Sequence, residues 1–286
     1  MYPNLPQPMR IDAHQHFWQY DAERDSWITP DMAAIRRDFG PADLQPLLAR
    51  HGLDGCVAVQ ASQSEAETDW LLSLAAAHPF IKGVVGWVDL QAADVAERLG
   101  HYRQFEQLKG FRHVLQGEAD RALLLTPAFR RGIAALGQHG FTYDLLILPD
   151  QLQFARQLAV DFPNQPFVLD HIAKPLIKAQ VVGDWARDVR ALAALPNVSC
   201  KVSGLVTEAD WHAWQPQDFR PYLDVVFEAF GPERVLFGSD WPVCQVAGGY
   251  DAVVTLVQDY LAAFSAREQA LFWGENAAAF YSLNAA

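Results

Sequence analysis

Eight short apolar segments, separated by stretches with helical periodicity, constrain the fold of this chain more than any other feature. Most of the segments lack the polar alternation of a half-exposed strand, which is typical of parallel strands buried on both faces. The predicted strands are residues 10–13, 55–60, 83–89, 108–113, 141–147, 166–170, 198–203 and 235–238. Helices are predicted at residues 43–51, 65–77, 127–139, 151–161, 181–195, 219–230 and 250–264.

The alternation of strands and helices predicts right-handed βαβ units and a parallel sheet. Eight such units predict that the sheet closes into a single (β/α)8 TIM barrel of the α/β class. An open doubly wound sheet is the rival architecture, but no glycine-rich phosphate loop follows the first strand. Because no linker, repeat or low-complexity segment interrupts the pattern, we expect one domain over residues 1–286.

Two connections are longer than usual, residues 17–40 after the first strand and residues 204–217 after the seventh. Both leave C-terminal strand ends, which form the active face of such barrels. They carry aromatic side chains that could stack on the apolar face of a ring, or could simply anchor the loops. These side chains are Phe17, Trp18, Tyr20, Trp27, Trp211 and Trp214.

The charge and composition of the chain limit the kinds of molecule that it is expected to bind. A formal net charge of −12 and a pI of about 5.1 disfavour nucleic acids and anionic membranes. Three cysteines without a closely spaced pair fit a reducing cytoplasm. Residues 1–9 lack the pattern of a signal peptide, and no segment approaches the roughly 20 apolar residues of a membrane span. We therefore expect a cytoplasmic protein that acts on a small molecule, with its oligomeric state left open.

Ionisable side chains at the strand ends suggest a catalytic pocket. His14 and His16 follow the first strand with a spacing that puts both on one side, where they could share a metal ion or polarise one oxygen. Asp240 follows the eighth strand, which neighbours the first in a closed barrel. His171 follows the sixth strand, where a core histidine bonded to a carbonyl is the alternative interpretation.

Four motifs carry a resemblance to a known family: Asp-Ala-His-Gln-His-Phe-Trp at 12–18, Leu-Asp-His-Ile-Ala-Lys-Pro at 169–175, Phe-Gly-Ser-Asp-Trp-Pro at 237–242 and Trp-Gly-Glu-Asn-Ala at 273–277. The chain resembles the amidohydrolase superfamily, above all its sugar-lactonase branch of L-fucono- and L-rhamnonolactonases. The resemblance implies a (β/α)8 barrel that hydrolyses a lactone. It identifies four residues as the family's motif residues: His14, His16, His171 and Asp240. These four would also be the ligands if a metal is bound.

The sequence departs from this family at two positions. Many members bridge two metals with a lysine at the end of strand four, where this chain has Phe111, Arg112 and His113. Metal-dependent members often have a histidine after strand five, where this chain has Tyr143 and Asp144. These two departures argue against a two-metal centre. One divalent ion, such as zinc, and metal-independent hydrolysis both stay open.

The sequence predicts roles for these residues in lactone hydrolysis. Asp240 would be the general base that activates water, while His14, His16 and His171 polarise the carbonyl. Arg112 and His113 would hold substrate oxygens. Three tryptophans would wall the ring: Trp18, Trp87 and Trp241. Further polar groups at the strand ends would bind a neutral sugar: Gln60, Asp89, Tyr143, Asp144 and Ser203.

Other functions stay open at this point. A 2-pyrone-4,6-dicarboxylate lactonase, from a neighbouring branch, would need cations such as Arg112, Lys174 and Lys201. A metal-dependent decarboxylase of an aromatic acid has the same fold, but it usually needs the strand-five histidine. A barrel that binds carbohydrate without catalysis is the third alternative, but binding alone gives no reason for a carboxylate beside three imidazoles.

Overall fold

The computed structural model describes residues 8–284, in which eight parallel strands are hydrogen-bonded in chain order. The strands are β1 (Ile11–Gln15), β2 (Gly55–Val59), β3 (Ile81–Gly86), β4 (Leu108–His113), β5 (Thr142–Leu145), β6 (Phe167–Leu169), β7 (Val198–Val202) and β8 (Val235–Phe237). The prediction of a single (β/α)8 barrel is confirmed. Most of the segment 1–9, predicted to lack a signal peptide, and both ends of the predicted domain 1–286 lie outside the described residues.

Helices follow the strands on the outside of the barrel. They are α1 (Pro41–Arg50), α2 (Glu65–Ala77), α3 (Val95–Tyr102), α4 (Pro127–His139), α5 (Leu152–Asp161), α6 (Gly183–Ala193), α7 (Pro216–Phe230), α8 (Gly249–Tyr260), α9 (Ala266–Ala270) and α10 (Asn276–Phe280). The helices α3, α9 and α10 were not predicted. No helix within residues 8–284 combines the length and the hydrophobicity needed to span a bilayer.

Hydrogen bonds between the residues at the ends of β1 and β8 close the barrel. The Asp240 amide donates to the His14 carbonyl at 2.8 Å, and the His16 amide donates to the Trp241 carbonyl at 2.7 Å. The buried Asp12 carboxylate accepts from the Ser239 amide at 2.9 Å. This seam places the residues that follow β1 beside those that follow β8.

Two apolar clusters account for the core. The larger cluster lies between the strands and the helices. The smaller one joins Ile11, Val57, Val168 and Leu236 from strands around the barrel, so it fills the interior below the mouth. Tyr281, which follows α10, belongs to this inner cluster. The chain after β8 therefore returns to close the lower end of the barrel.

The two long loops leave the mouth of the barrel as predicted, although their bounds differ. The loop after β1 is tied down where Trp18 and Phe39 exchange backbone hydrogen bonds at 3.1 and 2.9 Å. The loop after β7 is shorter than predicted, since α7 begins at Pro216. The strand β3 ends at Gly86 instead of residue 89, so Trp87 lies beyond it.

Candidate active site

His14, His16 and Asp240 meet at the mouth of the barrel, where β1 and β8 adjoin. The Nε2 atoms of the two histidines are 3.2 Å apart. Asp240 Oδ1 lies 3.4 Å from His16 Nε2. All three side chains are buried, with exposures of 5% or less. The neighbouring strands predicted from the sequence therefore bring these three groups to one point.

Hydrogen-bond partners assign the tautomers of the two histidines. His16 Nδ1 faces the Val59 carbonyl at 2.8 Å, and since a carbonyl only accepts, this nitrogen carries the proton. Arg112 Nη1, which only donates, lies 3.2 Å from His14 Nε2. Lys201 Nζ lies 3.2 Å from His14 Nδ1, but Asp170 Oδ1 lies 3.3 Å from the same nitrogen and carries no proton to donate, so the His14 proton is assigned to Nδ1. Burial lowers the pKa of His14 well below its usual value, which keeps this imidazole neutral.

This assignment leaves His14 Nε2, which faces Arg112, and His16 Nε2 without protons of their own. Both nitrogens are turned toward each other, and His16 Nε2 also faces a carboxylate oxygen of Asp240. Three acceptors in contact repel unless a cation or a proton lies between them. Neutral imidazole nitrogens and carboxylate oxygens are preferred zinc ligands, and a carbonyl or carboxylate on the other ring nitrogen is the usual support for such a histidine. The donor atoms of His14, His16 and Asp240 therefore fit one divalent ion.

His171 lies on the other side of Asp240. Its Nδ1 faces Ser203 Oγ at 2.9 Å, and its Nε2 is 3.8 Å from Asp240 Oδ1. The His14 and His171 ring centroids are 4.4 Å apart, so the three predicted imidazoles form one group. Burial opposes ionisation of Asp240, but its interactions with His171, His16 and Lys174 outweigh burial. The pKa of Asp240 consequently lies below the usual range.

Arg112 links the histidines to the rest of the barrel. Its Nη1 lies 3.1 Å from Asp170 Oδ2 as well as 3.2 Å from His14 Nε2. Its Nη2 donates to Gln60 Oε1 at 3.0 Å and to the Gln60 carbonyl. Gln60, predicted to bind substrate, is fully buried and instead orients this guanidinium group.

A fully buried ion cluster lies beneath His14. Lys201 Nζ contacts Asp144 Oδ2 at 2.5 Å, Asp170 Oδ1 at 3.0 Å and His14 Nδ1 at 3.2 Å. Tyr281 donates to Asp144 Oδ2 at 2.8 Å. Burial alone would raise the pKa of Asp170, but Lys201 and the other cations around it lower it well below the usual value. The cluster thus maintains the anionic acceptor that orients His14.

A cavity of about 670 Å³ opens above this group, a size suited to a small molecule. Three tryptophans from the long loops line it: Trp18, Trp27 and Trp211. Polar side chains also line it: Arg112, His171, Lys174, Glu208 and Asp240. Burial raises the pKa of Glu208 above its usual value. The cavity thus combines aromatic walls with charged groups around Asp240.

Two predicted substrate contacts, Tyr143 and Trp241, lie away from the cavity. Tyr143 faces the helix layer, where its ring packs against Phe129 and Phe167, in place of the predicted hydrogen bond to a sugar. Trp241 is buried against Phe17 and Phe39. Its neighbour in sequence, Asp240, reaches the cavity because a positive φ of 56° turns the chain between them.

Trp87 and His113 form a separate contact behind the cavity wall. Trp87 Nε1 donates to His113 Nδ1 at 3.4 Å, and His113 Nε2 lies 2.8 Å from Glu118 Oε1. Neither residue is among those that line the cavity. They support the loop after β4, which supplies Gln116 to the cavity wall.

Sequence reasoning missed two contributions to the site. Glu208 lines the cavity from the loop after β7, and no periodicity predicts which loop side chains turn inward. Asp170 lies at the end of the predicted strand 166–170 and was given no role, although it contacts Arg112, His14 and Lys201. Its position beside His171 in the motif at 169–175 was the available signal.

Comparison with known proteins identifies the family. The amidohydrolase family model matches residues 11–283. L-fucono-1,5-lactonase of Burkholderia multivorans is 42% identical over 96% of each chain, and that of Burkholderia ambifaria is 40% identical over 84% of this chain and 83% of its own. A crystal structure of a Burkholderia multivorans amidohydrolase with bound Zn is 43% identical, with a TM-score of 0.93 over 96% of this chain and 100% of that one. The protein therefore belongs to the amidohydrolase family.

Proposed function

We propose that this enzyme hydrolyses a sugar lactone to the open-chain acid, with L-fucono-1,5-lactone as the first substrate to test. The name of the two Burkholderia relatives supports this substrate. The observation that carries the proposal is a buried carboxylate, Asp240, in contact with His16 and His171 at the base of an aromatic-walled cavity. A carboxylate within reach of water can act as a general base, while imidazoles beside it can polarise a carbonyl.

Asp240 would accept a proton from the water that attacks the lactone carbonyl carbon. Its lowered pKa keeps it ionised and ready to accept this proton at neutral pH. His171 and Arg112, which both line the cavity, would orient the carbonyl oxygen and stabilise the negative charge that develops on it. The tryptophans would stack on the apolar face of the ring and exclude bulk water.

One divalent ion, zinc in our proposal, would be held by His14 Nε2, His16 Nε2 and Asp240 Oδ1. A zinc ion supplies Lewis acidity, which polarises a carbonyl and lowers the pKa of a bound water. The Zn-containing relative supports this choice of metal. His171, whose Nε2 is farther from Asp240, would contact substrate instead.

The charges around the cavity favour a neutral substrate over a dicarboxylate. Arg112 lies 3.1 Å from Asp170, Arg24 lies 2.7 Å from Asp25, and Lys174 lies 3.6 Å from Glu208. Each cation that lines the cavity in residues 8–284 thus already faces a carboxylate. A dianion would have to compete with these pairs, whereas the hydroxyl groups of a sugar can bond to both partners.

Asp240→Asn tests the general base. We expect kcat on the best aldonolactone to fall by about 10²- to 10⁴-fold, because an amide cannot accept the proton. Asp210→Asn, which removes an exposed carboxylate paired with Lys178, is the control and should retain wild-type turnover. Proton release would be followed on L-fucono-, L-rhamnono- and galactonolactones. Turnover of Asp240→Asn within a few-fold of wild type would refute this role.

The same proton-release assay decides between substrate classes when it includes 2-pyrone-4,6-dicarboxylate and a measurement of carbon dioxide from aromatic acids.

Metal binding is measured separately. Calorimetric titration of chelator-treated protein with Zn²⁺ should give one ion per chain, and His16→Asn should no longer bind this ion. Equal zinc binding by both proteins would exclude the proposed ligands. Full turnover after chelation would establish hydrolysis without a metal.

A further inference from the structure

The residues after β6 adopt an unusual backbone conformation. Four consecutive residues, 171–174, have positive φ angles of 52°, 49°, 61° and 48°, and none of them is glycine. Left-handed backbone is unfavourable for every residue except glycine, and the β-branched Ile172 is especially disfavoured there. Strain of this kind persists only where the surrounding structure enforces it, and it is concentrated at functional sites.

Neighbouring elements hold this left-handed turn in place. Ser203 Oγ contacts His171 Nδ1 at 2.9 Å, and Trp185 Nε1 donates to the Ile172 carbonyl at 2.8 Å. The Lys174 amide donates to the His171 carbonyl at 2.8 Å, which closes one helical turn. Side chains three residues apart in such a turn lie on the same side. His171 and Lys174 accordingly both line the cavity.

Lys174 pairs with a carboxylate that also lines the cavity. Its Nζ is 3.6 Å from Glu208 Oε1, which is an ion-pair distance but longer than the usual hydrogen bond of about 2.9 Å. The positive charge of Lys174 also contributes to the lowered pKa of Asp240. The Lys178 amide donates to the Glu208 carbonyl at 2.9 Å and joins the two loops that carry the pair. The ammonium group is thus oriented in the cavity close to the proposed general base.

We propose that Lys174 is the general acid of the reaction and that its ammonium group protonates the ring oxygen as this oxygen leaves the carbonyl carbon. Glu208 is a positioning residue that keeps the ammonium group directed into the cavity. The proposal rests on the proposed lactonase function, because only a lactone has this leaving oxygen. It explains why a strained turn presents a lysine and a histidine to the same substrate.

The proton and electron transfers balance. Water forms a bond to the carbonyl carbon and gives a proton to Asp240, while the carbonyl π electrons move to oxygen. When the carbonyl re-forms, the bond from carbon to the ring oxygen breaks and its electron pair takes the proton of Lys174. Protonated Asp240 then returns its proton through water to the neutral amine of Lys174. The net reaction is lactone plus water to hydroxy acid, which ionises.

The acidities of the two groups favour this transfer. An alkylammonium group is a stronger acid than the alcohol that forms when the leaving alkoxide is protonated. Transfer from Lys174 to the leaving oxygen is therefore downhill. A guanidinium group has the same charge, but it is a weaker acid and a bulkier donor.

Lys174→Ala and Lys174→Arg test the proposal on the best lactone of the panel. We expect kcat of Lys174→Ala to fall by about 10²- to 10³-fold with KM changed by only a few-fold, since the loss occurs in the transition state. Lys174→Arg should not recover kcat. Added primary amines of different pKa, beginning with methylamine, should restore turnover of Lys174→Ala at a rate that depends on amine pKa. Glu208→Gln should lose less than Lys174→Ala.

Lys178→Ala is the matched control, because Lys178 lies in the same loop and pairs with Asp210 at 3.1 Å but is 68% exposed. It should keep wild-type kcat, and circular dichroism would establish that every variant is folded. Recovery of kcat by Lys174→Arg, or amine rescue that is absent or independent of pKa, would overturn the role of Lys174. Wild-type turnover of sugar lactones tests the proposed function separately, since the role of Lys174 is measured relative to wild type.

Discussion

The most unusual single residue in the barrel is Lys201, a fully buried lysine between two fully buried aspartates. Removing one partner of a buried ion group is costly because the remaining charges lose their compensation. Burial raises the pKa of Asp144 to about 6, even with Lys201 as its neighbour. Asp144 therefore depends on this one ammonium group for its charge compensation, whereas Asp170, which contacts His14, is also paired with Arg112.

We expect Lys201→Met to lower the free energy of unfolding by about 3–5 kcal/mol at pH 8, because Asp144 and Asp170 are left buried without it. An acid whose pKa is raised by folding binds its proton more tightly in the folded state, so stability increases as pH falls through that pKa. The loss should therefore be smaller at pH 5.5 than at pH 8. Urea denaturation at the two pH values measures both effects.

The double variant Lys201→Met/Asp144→Asn should regain part of the lost stability, since one uncompensated charge is gone. Lys178→Met removes an exposed lysine and should change stability by less than about 0.5 kcal/mol. A loss below about 1 kcal/mol for Lys201→Met, or a loss that grows as pH falls, would contradict this account of the cluster.

At the scale of residues, the sequence predicted which side chains meet at the mouth of the barrel better than where the others point. His14, His16, His171 and Asp240 were predicted as one group from strand ends and motifs, and they lie together. The sequence did not show which of Tyr143 and Asp144 faces the barrel interior, because a strand buried on both faces has no polar alternation that distinguishes its two sides. Tyr143 faces the helices, and Asp144 faces the barrel interior.

At the scale of elements, the left-handed turn after β6 depends on the glycine that follows β7. Gly204 has a φ of +62°, and a Cβ atom there would lie 2.6 Å from His171 Nδ1. Any side chain would have to displace the imidazole or move the turn. The turn and the end of β7 therefore act as one unit that positions His171 and Lys174.

Gly204→Ala should consequently reduce kcat by at least about 10-fold, because small displacements of catalytic groups have large effects on rate. It should also lower the melting temperature, since a non-glycine residue at this φ is strained. Gly117→Ala is the control: it lies near the same cavity, but a Cβ atom there meets nothing within 4 Å. Turnover and calorimetry on both variants check the prediction, and equal kcat for the two would exclude it.

The elements themselves were predictable where an apolar pattern had clear boundaries. All eight strands were found, because each is a short apolar run bounded by polar or proline-containing segments. The helix α3 was missed although its buried residues, Val95, Leu99 and Tyr102, have helical spacing. Eight residues make only about two turns, and so short a helix depends on packing more than on its own propensity. The left-handed turn has no sequence signal, since it contains no glycine.

At the scale of the molecule, barrel closure explains why motifs more than 200 residues apart could be joined from the sequence. Order along the chain is order around the barrel, so the first and last strands must adjoin. The walls of the cavity follow no such rule. Trp27, Glu208 and Trp211 come from loops, and their positions result from the packing of whole loops against one another.

The net charge of the molecule also bears on turnover, because the reaction converts a neutral lactone into an anion. A protein with a formal charge of −12 repels anions at low ionic strength, where the screening length is about 30 Å at 0.01 M. Release of the product is favoured by this field, whereas binding of a neutral substrate is not affected by it.

We expect the product anion to inhibit more strongly as salt rises from 10 to 300 mM, with its inhibition constant falling by a few-fold. Over the same range, kcat/KM for the neutral lactone should change by less than about two-fold, because an uncharged substrate is not attracted or repelled by the net charge of the protein. A neutral polyol analogue of the product serves as the control, and its inhibition constant should not depend on salt. Weaker product inhibition at high salt would instead mean that the cations of the cavity, Lys174 among them, govern the local field.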